Sequence, residues 1–411
     1  MNKEQVRKIL VDTAYVRMGG SDEELKAAEY IKSVCAEMGL GEAYIEDFEV
    51  DMAKIKSATL TVDGKEIPCK GYFNCGSGEV TAPIYYLTNT EDKYQLSQCK
   101  DKIVLVDGYM RHWMYQDLLE AGALAFITSD GNVNYTDFDI DQRELRRQVR
   151  GENPRLGVNI NIKHAVEIVE NKAQTATVKI EQDEWMGNSR NVILDLPGEV
   201  DEYIVFTAHY DSTSLSQGAY DNMSGSIGLI GIAEHFKANP HKYGMRFVWC
   251  GSEERGLLGS KAYCSMHEEE LKKIVLNINL DMIGCIMGKF IACCTTEEKL
   301  CHYIDYLALE TGFSVSSHQG VYSSDSTPFA DKGVPALSFA RISPPNAGTI
   351  HNSYDTMALM SDEQMLDDIA FINYFSDRMA NAVMCPVARE IPDNMKEEIE
   401  IYNARKRKGK K

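Results

Sequence analysis

Three segments follow one another between residues 203 and 254: YIVFTAHYD (203–211), SGSIGLIGIAEHFKAN (224–239) and MRFVWCGSEE (245–254). The outer two are short apolar runs rich in β-branched and aromatic residues, the composition of buried strands. The middle one has the length and apolar content of a helix. The same rhythm spreads outward in both directions. NVILDLPG (191–198) reads as a preceding strand, residues 258–268 as a helix, and IVLNINLDMIG (274–284) and VPALSFA (334–340) as further strands. DDIAFINYFSDRMANAV (367–383) closes the series as a helix. Strands alternating with helices predict an α/β domain with a mostly parallel sheet covered on both faces.

Upstream the texture differs. The first forty residues read as helical, with Ser21 and Glu24 forming a capping box ahead of Leu25, Ala28, Ile31, Cys35 and Met38 at helical spacing. From about residue 58 to 180 short strands take over, among them SATLTV (57–62), APIYYL (82–87) and KIVLVDG (102–108). One helix, YQDLLEAGALAFI (115–127), runs straight into an apolar strand, and the polar stretch near 130–155 with Arg143, Arg146, Arg147 and Arg150 reads as a surface loop or short helix. These apolar segments suffice for a small core of their own. The expected organisation is a discontinuous domain of residues 1–57 and 181–390, an inserted, smaller β-rich domain over 58–180, and a basic C-terminal tail over 391–411.

The 411 residues carry 43 Lys+Arg against 62 Asp+Glu, a formal charge of −19. A field of that sign repels phosphate and excludes nucleic-acid binding driven by overall charge. No apolar run approaches the roughly 18 residues of a membrane span, and the first twenty residues lack the apolar core and cleavage site of a secretory signal. Eleven cysteines without a CxxC pair are expected as reduced thiols rather than a disulfide framework. Together these features predict a soluble cytoplasmic protein with no nucleic-acid or membrane partner; the number of subunits is not legible in them.

In an open α/β sheet, reactive groups gather at the carboxyl ends of the strands. His209 and Asp211 end YIVFTA, Asp221 lies just before a helix, Glu253 and Glu254 end MRFVWC, Asp281 ends IVLNINL, and His351 follows VPALSFA in a loop. Any one of these is unremarkable alone, and the other seven histidines are read as structural or surface residues. The set is what a two-metal hydrolytic site needs. Zinc takes imidazole nitrogen and carboxylate oxygen, and paired ions need a bridging carboxylate with further ligands on each side. His209, Asp221, Glu254, Asp281 and His351 meet that count. Glu253 is left over to accept a proton, and Asp211 is placed to hold the second nitrogen of His209. The imidazoles argue against calcium, with manganese or cobalt as possible substitutes for zinc.

The strings AHYDS (208–212), GAYDNMSG (218–225), SEERGLLGS (252–260), NLDMIG (279–284) and IHNSYDT (350–356) resemble, in order, the motifs of the co-catalytic dizinc aminopeptidase family. That family includes glutamate carboxypeptidases, the transferrin receptor and glutaminyl cyclases. The resemblance covers about residues 185–385, and GGSDEELKAAEYIKSVCAEMGL (19–40) is similar to the helix that opens its peptidase domain. It implies two zinc ions per chain, one held by His209 and Asp281, the other by Glu254 and His351, with Asp221 bridging. It further implies that Glu253 is the general base, that Tyr322 stabilises the oxyanion, that Asp355 and Thr356 support His351, and that the bond after Asp221 is cis. KIVLVDGYM (102–110), LLEAGALAFIT (118–128) and PRLGVNINIKHAVEIV (154–169) resemble a protease-associated domain.

These features lead to a metallo-aminopeptidase acting on peptides. Another amidohydrolase on the same site, a carboxypeptidase or dipeptidase, is the alternative, since the pocket and not the ligands separates them. Glutaminyl cyclase works with one zinc, and a non-catalytic binding protein would have lost ligands; this chain keeps them all.

Overall fold

The computed structural model describes residues 1–134, 139–345 and 347–407. The chain divides into two compact units, Met1–Phe48 with Asn188–Lys411, and Glu49–Gly187. The strands Tyr44–Val62 and Thr175–Leu196 carry the chain from one unit to the other.

In the first unit the sheet runs, from one edge, through Ser316–Gln319, Lys289–Thr295, Ala336–Ile342, Ile274–Leu280, Val200–His209 and Tyr243–Cys250 to the end of Thr175–Leu196. Val200–His209 pairs in parallel with both neighbours, so that Phe206 lies opposite Ile278 on one side and Phe247 on the other. Ala336–Ile342 joins in parallel to Ile274–Leu280. The antiparallel pairings are those of Lys289–Thr295 with Ala336–Ile342 and of Tyr243–Cys250 with the end of Thr175–Leu196. Alternate residues serve opposite faces, as a strand's period of two requires. Ile204, Phe206 and Ala208 enter the larger core with helices Lys3–Asp12, Asp22–Glu37, Ser224–Ala238 and Asp362–Ala380. Val205, Val248 and Ile193 enter a smaller core on the other face with Tyr263, Cys264 and Phe329. The α/β sheet with helices on both faces is therefore as the sequence rhythm predicts, and the parallel strands deliver their carboxyl ends to one side.

In the second unit Gly78–Leu87, Ile103–Val106, Ala125–Asp130 and Leu156–Asn161 form consecutive parallel pairs. Cys69–Gly71 closes one edge antiparallel, and helices His112–Glu120 and Ile162–Glu170 pack on the sheet's own core. Residues 135–138 of the polar stretch lie outside the described residues. The rest is less superficial than its composition suggests: Arg143 is buried, its guanidinium 3.8 Å from the centre of the Tyr109 ring and 3.4 Å from Asp130. A long stem over an aromatic face lets an arginine bury while keeping its charge partnered.

The C-terminal residues also hold more structure than a basic tail. Asp393–Tyr402 is a helix that buries Met395 and Ile399 against Ala330 and Ala336, and Arg405 pairs with Asp331. Met395 and Ile399 are four apart and share one helix face, a signal outweighed in the sequence by the charges around it. Residues 408–411 lie outside the described residues. Among the described residues no helix is long and apolar enough to cross a membrane.

Candidate metal centre

The carboxyl ends of the parallel strands carry the site. His209 is the last residue of its strand and sits opposite Cys250, so the turn after Cys250 brings Glu253 and Glu254 alongside it. Asp281 follows Leu280 on the neighbouring strand. Asp221 arrives from a wide turn, Ala219–Met223, ahead of the helix Ser224–Ala238. The peptide bond between Asp221 and Asn222 is cis, as the resemblance implies. Ser252, Met282 and His351 all have φ between 52° and 62°, a left-handed backbone that costs non-glycine residues about 1–3 kcal/mol each and persists where the surroundings enforce it.

Asp221 stands between the two imidazoles. One carboxylate oxygen lies 3.1 Å from His209 Nε2 and the other 3.1 Å from His351 Nε2. Asp281 approaches His209 Nε2 to 3.8 Å, and Glu254 approaches His351 Nε2 to 3.0 Å. Two triads result, His209–Asp221–Asp281 and Asp221–Glu254–His351, each with its donor atoms within 4.8 Å of one another. Glu253 places an oxygen 3.8 Å from His209 Nε2.

Apart from His351, whose ring is about one third exposed, these groups are shielded from water, and their acidities show the crowding. Burial raises the Glu253 carboxyl well above its usual range, His209 opposing and Glu254, Asp325 and Asp281 adding to the rise. Burial likewise lifts Glu254 to about 7, against the pull of His351. Burial works in the same direction on Asp221, but contact with both imidazoles holds it well below the ordinary carboxylate value. A buried cluster of this density demands cations. Two imidazole nitrogens and three carboxylates are the donor set of zinc, and Asp281 keeps one buried oxygen with no hydrogen-bond partner among the described residues. The residues fit a pair of divalent ions that share Asp221.

The supporting shell differs in part from the expectation. Asp211 Oδ1 lies 3.4 Å from His209 Nδ1, but its hydrogen bonds are to the backbone N–H groups of Glu253 and Glu254, at 3.0 and 3.2 Å. Asp211 thus fastens the turn that presents both glutamates. Asp355 reaches the backbone of Asp221 rather than the His351 ring, accepting from the Tyr220 and Asp221 N–H groups. Tyr322 has a buried hydroxyl with no partner among the described residues, and burial followed by the charges of Asp281 and Asp221 raises its pKa well above the usual value, keeping the proton on the hydroxyl. Of the seven histidines read as bystanders, His235 rests on Asp377 and His267 on Glu46, and none joins a metal-binding cluster among the described residues.

Sequence reasoning missed Asn222, Glu24 and Arg17. The Asn222 amide donates to the Leu280 carbonyl and accepts from Met282 N–H, gripping the peptide on each side of Asp281. Glu24 is buried beneath the turn before Glu253, accepting from Gly20 N–H and from the Ser189 hydroxyl. The capping signal at Ser21 identified Glu24 only as a helix-start residue; Ser21 does accept from its N–H, while its carboxylate turns inward.

Residues 191–374 match the model of Peptidase family M28. All five residues of the two triads lie inside the matched segment. Among curated proteins, the chain is 37% identical over 145 residues to aminopeptidase YwaD of Bacillus subtilis (strain 168), covering 34% of this chain and 32% of YwaD. It is 42% identical over 99 residues to leucine aminopeptidase 2 of Trichophyton rubrum, covering 23% and 19%. The alignments thus span about a third or less of those relatives. Among solved structures, the aminopeptidase from Aneurinibacillus sp. strain AM-1 superposes with a TM-score of 0.74 at 22% identity, covering 94% of this chain and 96% of that one. BSAP, a zinc aminopeptidase from Bacillus subtilis, gives 0.74 at 23%, covering 95% and 99%. The chain therefore shares the fold of these two proteins along nearly its whole length.

Proposed function

We propose that this chain is a zinc-dependent metallo-aminopeptidase that releases N-terminal residues from peptides. The carrying observation is Asp221, whose two oxygens face two separate imidazoles, each backed by a further carboxylate. The M28 match and the names of the relatives support the same reading.

His209, Asp221 and Asp281 would hold one zinc, and Asp221, Glu254 and His351 the other. When bound, such a pair supplies a water acidified toward neutral pH and a Lewis acid for the scissile carbonyl. Glu253 takes the proton of the attacking water on a carboxylate oxygen and returns it to the nitrogen of the leaving amine. Asp211 keeps Glu253 and Glu254 in place through their backbone N–H groups, and the Tyr322 hydroxyl donates to the oxygen that gains charge. The parallel-stranded unit around residues 58–180 is read as an inserted protease-associated domain that interrupts the peptidase domain. The eleven cysteines, all free thiols, favour a reducing compartment, the cytoplasm.

Hydrolysis of a panel of aminoacyl-amide reporters, each with a free or an acetylated amino terminus, tests the reading. Turnover of the free forms alone, abolished by chelator and restored by zinc, is expected. Release of C-terminal residues from acetylated peptides would replace it with a carboxypeptidase. No turnover of any reporter after zinc addition would leave only a binding protein.

A further inference from the structure

Arg17 is fully buried and makes no ion pair among the described residues. Each of the three guanidinium nitrogens donates instead to the main chain. Nε donates to the Tyr210 carbonyl at 2.7 Å. Nη1 donates to the carbonyls of Thr13, Tyr15 and Gln217, at 2.6, 2.9 and 2.6 Å, and Nη2 to that of Gly218 at 3.0 Å. Its own backbone N–H donates to the Ser212 hydroxyl, and its carbonyl accepts from Ser212 N–H. Ser212 in turn donates to the Ser216 carbonyl at 2.8 Å. The loop from Tyr210 to Gly218 is therefore wound around one side chain.

Both ends of that loop lead directly to ligands. Tyr210 lies between His209 and Asp211, and Gly218 opens the turn that ends in Asp221. Gly218 has φ +54°, and a Cβ built there would stand 2.9 Å from Arg17 Nη2 and 2.6 Å from the Asp221 carbonyl oxygen. The glycine is required by its left-handed backbone and by how closely the Asp221 carbonyl, Ser212 and the guanidinium converge on it, at 2.6, 2.8 and 2.9 Å from that Cβ. A lysine cannot reproduce the arrangement: its ammonium is a point with three donors, whereas the guanidinium is a flat fork with five. Burial draws Arg17 down to about 10, with Tyr15, Asp211, Asp355 and Asp221 opposing, so it carries its charge at neutral pH.

We infer that Arg17 is a positioning residue that sets the placement of Asp221 relative to His209 by holding the Tyr210–Gly218 loop, and so governs the sharing of Asp221 between two zinc ions. The inference rests on the dizinc reading above. It also makes the segment before the first long helix a working part of the metal centre rather than a leader to it.

The test uses full-length protein stripped of metal and titrated with zinc against a chromophoric chelator, with thermal melting followed by circular dichroism. Arg17→Lys keeps the charge and loses the fork; Gly218→Ala keeps Arg17 but crowds the point where the loop closes on the Asp221 carbonyl, Ser212 and the guanidinium. Both variants are expected to melt cooperatively and to bind the weaker of two zinc ions at least tenfold less tightly, with kcat falling and KM within twofold of the parent. A folded Arg17→Lys protein with parental affinity for both ions would overturn the inference. If Arg17→Lys fails to fold, Gly218→Ala decides: folded with parental zinc affinity, it overturns the inference in the same way. A parent chain that binds no zinc would sink the dizinc reading itself, and this inference with it.

Discussion

Asp355 accepts the backbone N–H of Asp221 at 3.1 Å with one carboxylate oxygen and that of Tyr220 at 2.8 Å with the other. The loop that supplies His351 therefore also clamps the main chain of the residue that both imidazoles face. Two elements far apart in sequence are fixed to each other at the point where the two candidate metal positions meet.

Removing that clamp has a defined consequence. In Asp355→Ala two buried N–H groups lose their acceptor, at about 1–3 kcal/mol each. Zinc affinity is expected to fall roughly 10–100-fold, the usual effect of losing a partner behind a ligand. Competition with a chromophoric chelator measures it, and unchanged affinity would show that Asp221 holds its place without Asp355.

Glu253 contacts His209 without belonging to either triad. Glu253→Gln keeps the size and removes the proton acceptor. Zinc content is expected to stay at the parental level while kcat falls by about 10²–10⁴, the range for a positioned acid–base group. Metal analysis and reporter hydrolysis on one preparation separate the two effects; a near-parental rate would remove Glu253 from its assigned role.

Tyr322→Phe deletes a single buried hydroxyl. As a donor to the developing oxyanion it is expected to cost roughly 10²–10³ in kcat with little change in KM. A rise in KM at constant kcat would instead make Tyr322 a group that binds substrate and transition state equally.

Glu24 gives a pH signature. Burial lifts its carboxyl to about 8, Asp211 adding to the rise while Ser189 and Gly20 oppose it. The folded value lies above the unfolded one, so the stability it confers is complete below about 4.5 and is lost as pH climbs to about 8. The amount is on the order of several kcal/mol. Glu24→Gln can still accept from Gly20 and donate to Ser189, so its melting temperature is expected to gain on the parent as pH rises from 5 to 9. A constant offset across that range would mean that Glu24 does not titrate there.

The fold and the residues of the two triads were legible for a shared reason. Strand-end histidines and carboxylates follow apolar runs such as YIVFTA and IVLNINL, so one periodicity marks both the strand and the place where its chemistry sits. The supporting shell was not legible because its bonds go to backbone. Asp211 to the Glu253 and Glu254 N–H groups, Asn222 to the Leu280 carbonyl, and Arg17 to five carbonyls are contacts that no residue spacing encodes. The helix Asp393–Tyr402 was hidden differently, its two buried residues outnumbered by surrounding charge.

In the proposed mechanism Asp221 is shared by two zinc ions. Plasma mass spectrometry on protein purified without chelator, for the parent and for Asp221→Ala, addresses it directly. About two zinc ions per parent chain and one or fewer in the folded variant are expected. A parent with a single zinc, or a variant that retains two, would contradict it.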